Sequence, residues 1–194
     1  EQMKQHTNRW ECNADGNTEY FGRARYPRTL VQSLSDWTNT PTSPSNDPID
    51  YSNDITLVLI DNQFNNSAVD AIGVAFKIPI GLDTSIPLYL DIFWFASDSG
   101  VGDLEWIIHH TLAKVGDKLD GTASDTEASQ VVAISNQEQI LTKSTFKISI
   151  SKAVPGDTFA LKLERDATSG NANDTYSGNI IIESALIDGY FWRP

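Results

Sequence analysis

Three kinds of residue in this chain could carry chemistry: histidines, clustered carboxylates and a single thiol. The histidines are His6, His109 and His110. His109 and His110 are adjacent in a stretch where Leu104, Trp106 and Ile108 alternate with Glu105 and Ile107. That is strand periodicity, in which neighbouring side chains point to opposite faces. The pair therefore cannot close on one metal ion, and His6 lies far away in sequence, so no metal site is expected. Asp98, Asp103, Asp117, Asp120, Asp125 and Asp166 sit in loops or at strand ends. Converging, they could offer a calcium ion its oxygen shell, but nothing matches the twelve-residue calcium loop. Turn capping and solubility explain them as well. Asp103 and Glu105 are two residues apart on one face, the minimal carboxylate pair for acid–base work, yet any polar strand face shows the same spacing. Cys12 is the only cysteine, so the chain can form no internal disulfide. No second thiol or neighbouring base points to a reactive thiolate. There is no GxSxG, HExxH, phosphate-binding loop or dinucleotide fingerprint. The reading is a protein that is not an enzyme and uses no cofactor.

The elements that must position these residues are strands. Leu88, Leu90, Ile92 and Trp94 alternate with Tyr89, Asp91, Phe93 and Phe95. The Ser-Asp-Ser-Gly link at 97–100 then turns the chain into the 103–109 alternation. Trp94 and Trp106 are expected in one core as structural residues. Further strands are read at 55–60, 71–78, 131–134, 145–150, 158–165 and 179–192. Gly102-Asp103, Gly116-Asp117 and Gly156-Asp157 each stand just before a strand, a pairing suited to tight turns. The one helical candidate, 127–138, contains Val131, Val132 and Ile134, which favour strand. Eight or nine short strands with no helix predict an all-β antiparallel sandwich, jelly-roll-like, over residues 51–194.

Residues 1–50 read differently. They lack alternation, scatter Trp10, Tyr20, Phe21, Tyr26 and Trp37 among polar residues, and end in Pro41, Pro44 and Pro48. The expectation is an irregular N-terminal arm and Pro-rich linker. The chain has a net charge of −12, which speaks against nucleic-acid binding. The charge is uneven. Residues 1–28 hold five basic and four acidic side chains, and the remainder holds nine basic and twenty-two acidic ones. The longest apolar run is Ile92–Phe95, so no membrane association is expected. No signal-peptide pattern is read at its start. Arginine and aromatic residues are enriched at protein interfaces. Arg9, Trp10, Arg23, Arg25, Tyr26, Arg28 and Trp37 are therefore read as a partner interface. Tyr89, Phe93 and Phe95, on the face opposite the Trp94 row, join them.

The order of motifs resembles a β-sandwich domain of tailed-bacteriophage virion proteins. The family pattern is a hydrophobic strand ending in Trp, a Gly-Asp-Val-x-Trp strand, a Gly-Asp segment running into Arg-Asp, and a Tyr-x-Gly-Asp strand. Trp94, Gly102, Asp103, Trp106, Gly156, Asp157, Arg165, Asp166, Tyr176 and Gly178 match it. Leu104 stands where valine is common, and Asn179 where an acidic residue is. The resemblance covers about residues 54–190, and residues 1–50 match nothing in it. It implies a non-enzymatic virion component, a capsid decoration or head-fibre protein. Such a component would be a homo-oligomer, most often a trimer, seated on the major capsid protein or another virion protein. The alternative is a carbohydrate- or receptor-binding module of a tail fibre, with Trp37, Tyr20 or Tyr26 stacking on sugars. Arg165 and Asp166 close a strand before a polar loop and are read as structural, with Arg165 expected to bond carboxylate or carbonyl groups of a neighbouring loop, Asp103 or Asp117 being the candidates.

Overall fold

In a computed structural model the chain is all-β. The structure describes residues 9–12, 18–21, 25–31, 37–39, 45–52, 55–117, 126–135 and 138–192, with side chains at 25–31, at 37 and from 63 onward within those ranges. Thirteen strands lie among these residues. They are β1 (Arg9–Cys12), β2 (Thr18–Phe21), β3 (Arg25–Val31), β4 (Thr38–Asn39), β5 (Ser45–Ser52), β6 (Ile55–Phe64) and β7 (Val69–Lys77). The rest are β8 (Leu88–Ala96), β9 (Val101–Ala113), β10 (Thr126–Ser135), β11 (Thr142–Ile148), β12 (Thr158–Asp166) and β13 (Ile180–Trp192). One sheet has the order β10-β9-β12-β7-β4. The other has the order β11-β8-β13-β6-β5, with β3 also pairing β13. Every pairing between these strands is antiparallel, and β1 pairs β2 apart from both sheets.

The alternation read from the sequence is the alternation of burial. Leu88, Leu90, Ile92 and Trp94 of β8 face inward and are fully buried, while Tyr89, Asp91, Phe93 and Phe95 are half-buried on the outer face. Leu104, Trp106 and Ile108 of β9 and Phe159, Leu161 and Leu163 of β12 face them from the other sheet. The two tryptophans meet edge to face at 6.2 Å, and Phe64 meets Trp106 at 5.6 Å. Gly116 and Gly156 take φ of +97° and +93°, the turn geometry expected of them. In both turns the following Asp caps a backbone N–H three residues back: Asp117 accepts from Lys114 at 2.7 Å, and Asp157 from Val154 at 3.0 Å. Gly102 works otherwise. It lies inside β9, and a Cβ there would come within 2.7 Å of the Tyr176 backbone, so its role is close approach.

The expected irregular arm is corrected from residue 25 onward. β3 pairs β13 from Arg25↔Trp192 to Val31↔Ile187. Trp37 is buried and its indole Nε1 donates to the Ala185 carbonyl at 3.0 Å. β4 extends the other sheet beside β7. The Pro-rich segment is in part a strand: β5 pairs β6, with Pro48 opposite Val58. Proline is tolerated because β5 is an edge strand, where one face of the ladder needs no N–H. The strand expected at 131–134 starts earlier, since β10 begins at Thr126.

Candidate functional site

Five of the residues that carry the family resemblance, Gly102, Asp103, Arg165, Tyr176 and Gly178, meet in one structural knot at one end of the sandwich, while Gly156 and Asp157 form a turn at the other. Arg165 is fully buried at the end of β12. Its Nε and Nη2 donate to the two oxygens of Asp174 at 2.9 and 3.0 Å, a bidentate charge-assisted pair. Its remaining donors reach the carbonyls of Tyr176 at 2.7 Å, Gly178 at 2.9 Å and Phe64 at 3.4 Å. The Tyr176 hydroxyl donates to Asp98 Oδ1 at 2.8 Å. Burial first, and then this hydrogen bond, push the phenol up to about 12. The Asp103 carbonyl accepts the N–H groups of Thr175 and Tyr176 at 2.8 and 2.9 Å. Gly178 has no room for a Cβ, which would sit 2.4 Å from the tyrosine oxygen. The loop 167–179 is thus pinned from the side of β9, from the β8–β9 turn and from the end of β12. The expected partner of Arg165 is corrected: it is Asp174, not Asp103 or Asp117. Asp117 caps a turn at the opposite end of the sandwich, and Asp103 uses its backbone. Asp166 caps its own loop by accepting from Thr168 N and Oγ1 at 3.0 and 2.7 Å.

The other chemistry-bearing residues are held apart or already engaged. His109 lies on the outer face of its sheet, 3.9 Å from both Glu127 and Glu164, while His110 packs on the buried Phe159 ring at 5.9 Å. Glu105 is buried and accepts from the side-chain amides of Asn171 and Asn173 at 2.9 and 3.2 Å, so its carboxylate orders the loop beside it. Among the described residues no three His, Cys, Asp or Glu side chains converge on a point. Of the aspartates weighed for calcium, Asp98, Asp103, Asp117 and Asp166 are spread over both ends of the sandwich, and Asp120 and Asp125 lie outside the described residues.

What remains is the outer face of the sheet built on β8 and β13. Tyr89, Phe93 and Phe95 of β8 share this face with Tyr190 and Trp192 of β13, all of them half-buried. Tyr89 and Tyr190 meet at 6.3 Å with their planes 68° apart. Polar groups stand between and beside the rings. Lys143 pairs with Asp91 at 2.7 Å and lies 5.4 Å from the Phe93 centroid, and Thr145 donates to Asp91 at 2.6 Å. Lys147 and Asp188 stand opposite Tyr89 in the register on either side. Tyr190 and Trp192 were missed as site residues because they fall in a strand whose neighbours Ile187 and Phe191 read as core.

The N-terminal residues read as an interface are placed as follows. Arg25 pairs with Asp83 at 2.7 Å and stacks 4.5 Å over the Trp192 ring. Arg28 lies 5.6 Å from the Phe191 ring, and Tyr26 packs on the same ring at 5.9 Å. These three therefore cover their own sheet. Trp37 is a core residue, which corrects both its interface assignment and the sugar-stacking alternative for it. The side chains of Arg9, Trp10 and Tyr20, and all of Arg23, lie outside the described residues.

No family model matches the chain, and no curated protein matches it. Solved structures do. The chain is similar to the CBM22-1 xylan-binding domain from Paenibacillus barcinonensis Xyn10C, at 9% identity and a TM-score of 0.44 over 84% of this chain and 92% of that one. It is similar to an arabinose-bound MgGH51 α-L-arabinofuranosidase, at 12% identity and a TM-score of 0.45 over 84% of this chain, and spans only 25% of that enzyme's length. It is also similar to TmCBM27, a mannan-recognising carbohydrate-binding module, at 11% identity and a TM-score of 0.38 over 87% and 97% of the two chains. At these identities and scores the likeness is one of architecture alone.

Proposed function

We propose that this chain is a non-catalytic carbohydrate-binding module, with the outer face of the β8–β13 sheet as its binding surface. The observation that carries this reading is the group of half-exposed aromatic rings on that face, Tyr89 and Tyr190 foremost, interleaved with Asp91, Lys143, Lys147 and Asp188. A sugar ring has an apolar face of C–H groups and a rim of hydroxyls. Tyrosine matches both, with a flat apolar body and a polar tip. Adjacent carboxylate and ammonium groups take the hydroxyls, the usual division of labour in ligand sites. Phe93 and Trp192 are already stacked by Lys143 and Arg25, which leaves Tyr89, Tyr190 and Phe95, and of these the two tyrosines also carry a hydroxyl for a ligand. Their planes cross at 68° rather than lying level. That geometry suits a single glycan chain seated in a corner, and not a flat crystalline surface.

The resemblance of the motif order supports a virion as the carrier, with the module at a tail-fibre tip as part of a homo-oligomer. An arm anchored on a capsid is less well supported, since Arg25, Tyr26, Arg28 and Trp37 are engaged with the chain's own body. The test is a soluble-oligosaccharide panel followed by calorimetry. Tyr190→Ala and Tyr89→Ala should each weaken binding about tenfold, the scale of one lost aromatic contact. Unchanged affinity in both variants, or no binding across the panel, would remove the reading.

A further inference from the structure

The two sheets do not close on each other along the edge where β10 and β11 run. A cleft of about 590 Å³ opens there. That is within the range of about 300–1,000 Å³ typical of ligand sites. His110, Thr126, Lys147, Ser149, Ser151 and Lys152 line it, with Leu112 and Ala128 as apolar patches. Two features of this lining are unexpected for a chain with twelve net negative charges. Among the described residues it is lined by no carboxylate, and its two lysines are exposed and make no ion pair there. Three other lysines are engaged, Lys143 by Asp91, Lys162 by Glu164 and Lys77 by the Thr158 hydroxyl at 2.7 Å, while Lys114 stands exposed on a turn outside the cleft. An acidic protein that keeps ammonium groups unpaired in a concave, hydroxyl-lined cleft has a local positive field suited to an anion.

We propose that this cleft is a second ligand site, joined to the aromatic sheet face at Lys147, and that it takes an anionic saccharide. Lys147 and Lys152 hold the carboxylate or sulfate ester, and the Thr126, Ser149 and Ser151 hydroxyls hold the sugar hydroxyls. The hydroxyl lining argues for a sugar over a bare ion, because each serine or threonine can both donate to and accept from a sugar hydroxyl. Lys147 stands opposite Tyr89 in the β11–β8 register, so the cleft and the aromatic face meet at the sheet edge. The inference rests on the carbohydrate-binding reading and adds the charge of the ligand to it.

The experiment titrates the full chain with four probes: oligogalacturonate, its carboxyl-reduced neutral counterpart, a sulfated galactan oligosaccharide, and polyglutamate. Oligogalacturonate or the sulfated oligosaccharide should bind at least about tenfold tighter than the neutral counterpart, the contribution of one charge-assisted contact. Which of the two is preferred names the anionic group. Lys152→Gln lies away from the aromatic face and on the surface, so it should keep the wild-type melting temperature. It should lose that about tenfold preference, while Tyr190→Ala keeps it. Raised salt should weaken acidic but not neutral ligands. Equal binding of charged and neutral sugars, or a Lys152→Gln variant that retains the preference, overturns the proposal and leaves the aromatic face standing. Polyglutamate binding as tightly as the sugars overturns it in favour of a general polyanion patch. No binding of any saccharide, by either site, overturns the carbohydrate reading itself.

Discussion

Arg165 shows how a single side chain can hold a loop without touching a ligand. It is fully buried, and five contacts tie it to Asp174, Tyr176, Gly178 and Phe64. A buried ion pair is weak support for stability in itself, but removing one partner leaves the other charge uncompensated. Arg165→Met should therefore cost about 3–5 kcal/mol, read as a drop in urea midpoint. Arg165→Lys keeps the charge but not the planar fork, and should fall between wild type and Met. A Met variant with an unchanged midpoint would show that the loop is held by Tyr176 alone. Tyr176 itself makes a pH prediction. Its folded pKa, about 12, is above the ordinary 10.0, so between those values the unfolded chain loses the phenolic proton while the folded chain keeps it. Stability is fully present below pH 10 and falls as pH rises toward 12. Tyr176→Phe should lack that part of the alkaline slope when melting temperature is followed over the same range.

At the scale of elements, the strands with clean alternation were legible and the strands without it were not. β8, β9, β11 and β12 alternate because each has one face in the core and one outside, and the hydrophobic pattern records that directly. β3 carries Arg25, Pro27, Arg28 and Thr29 and buries fully only Val31, so its composition resembles a loop. What makes it a strand is the unpaired edge of β13, a non-local fact that no window of residues 1–50 contains. The knot at the sandwich end was half legible. Gly102, Arg165, Tyr176 and Gly178 stood out, but Asp174 sits in a polar loop among other turn formers and gives no local signal. The aromatic face was legible as Tyr89, Phe93 and Phe95, and incomplete without Tyr190. The placement of Trp37 decides what a truncation should do. Its ring is buried and its Nε1 bonds to Ala185, so Trp37→Ala should cost about 3–5 kcal/mol as a large aromatic deletion. Deleting residues 1–50 removes β3, β4, most of β5 and this ring together. The remainder should lose its cooperative thermal transition rather than survive as a folded body.

The whole molecule is organised by its last strand. β13 is flanked by β8 along residues 180–188 on one edge, and by β6 at 180–181 and β3 at 187–192 on the other. It is the centre of its sheet although it comes last in chain order among the described strands. The contact from Trp37 to Ala185 closes a sequence separation of 148 residues. Such pairings must close long loops before any burial offsets the entropy, which places folding in the range of about milliseconds to seconds. A chain ending at residue 179 should therefore fail to form either sheet properly. It would leave the inner edge of β8 unpaired and expose Trp94, whose ring packs on the β9 core. Stopped-flow tryptophan fluorescence should show the full chain refolding slowly. The truncated chain should show no native tryptophan signal and should associate through its open strand edges. A truncated chain with a native near-ultraviolet spectrum would mean that β8 and β9 hold the sandwich by themselves, and that β13 is an addition to a core already formed.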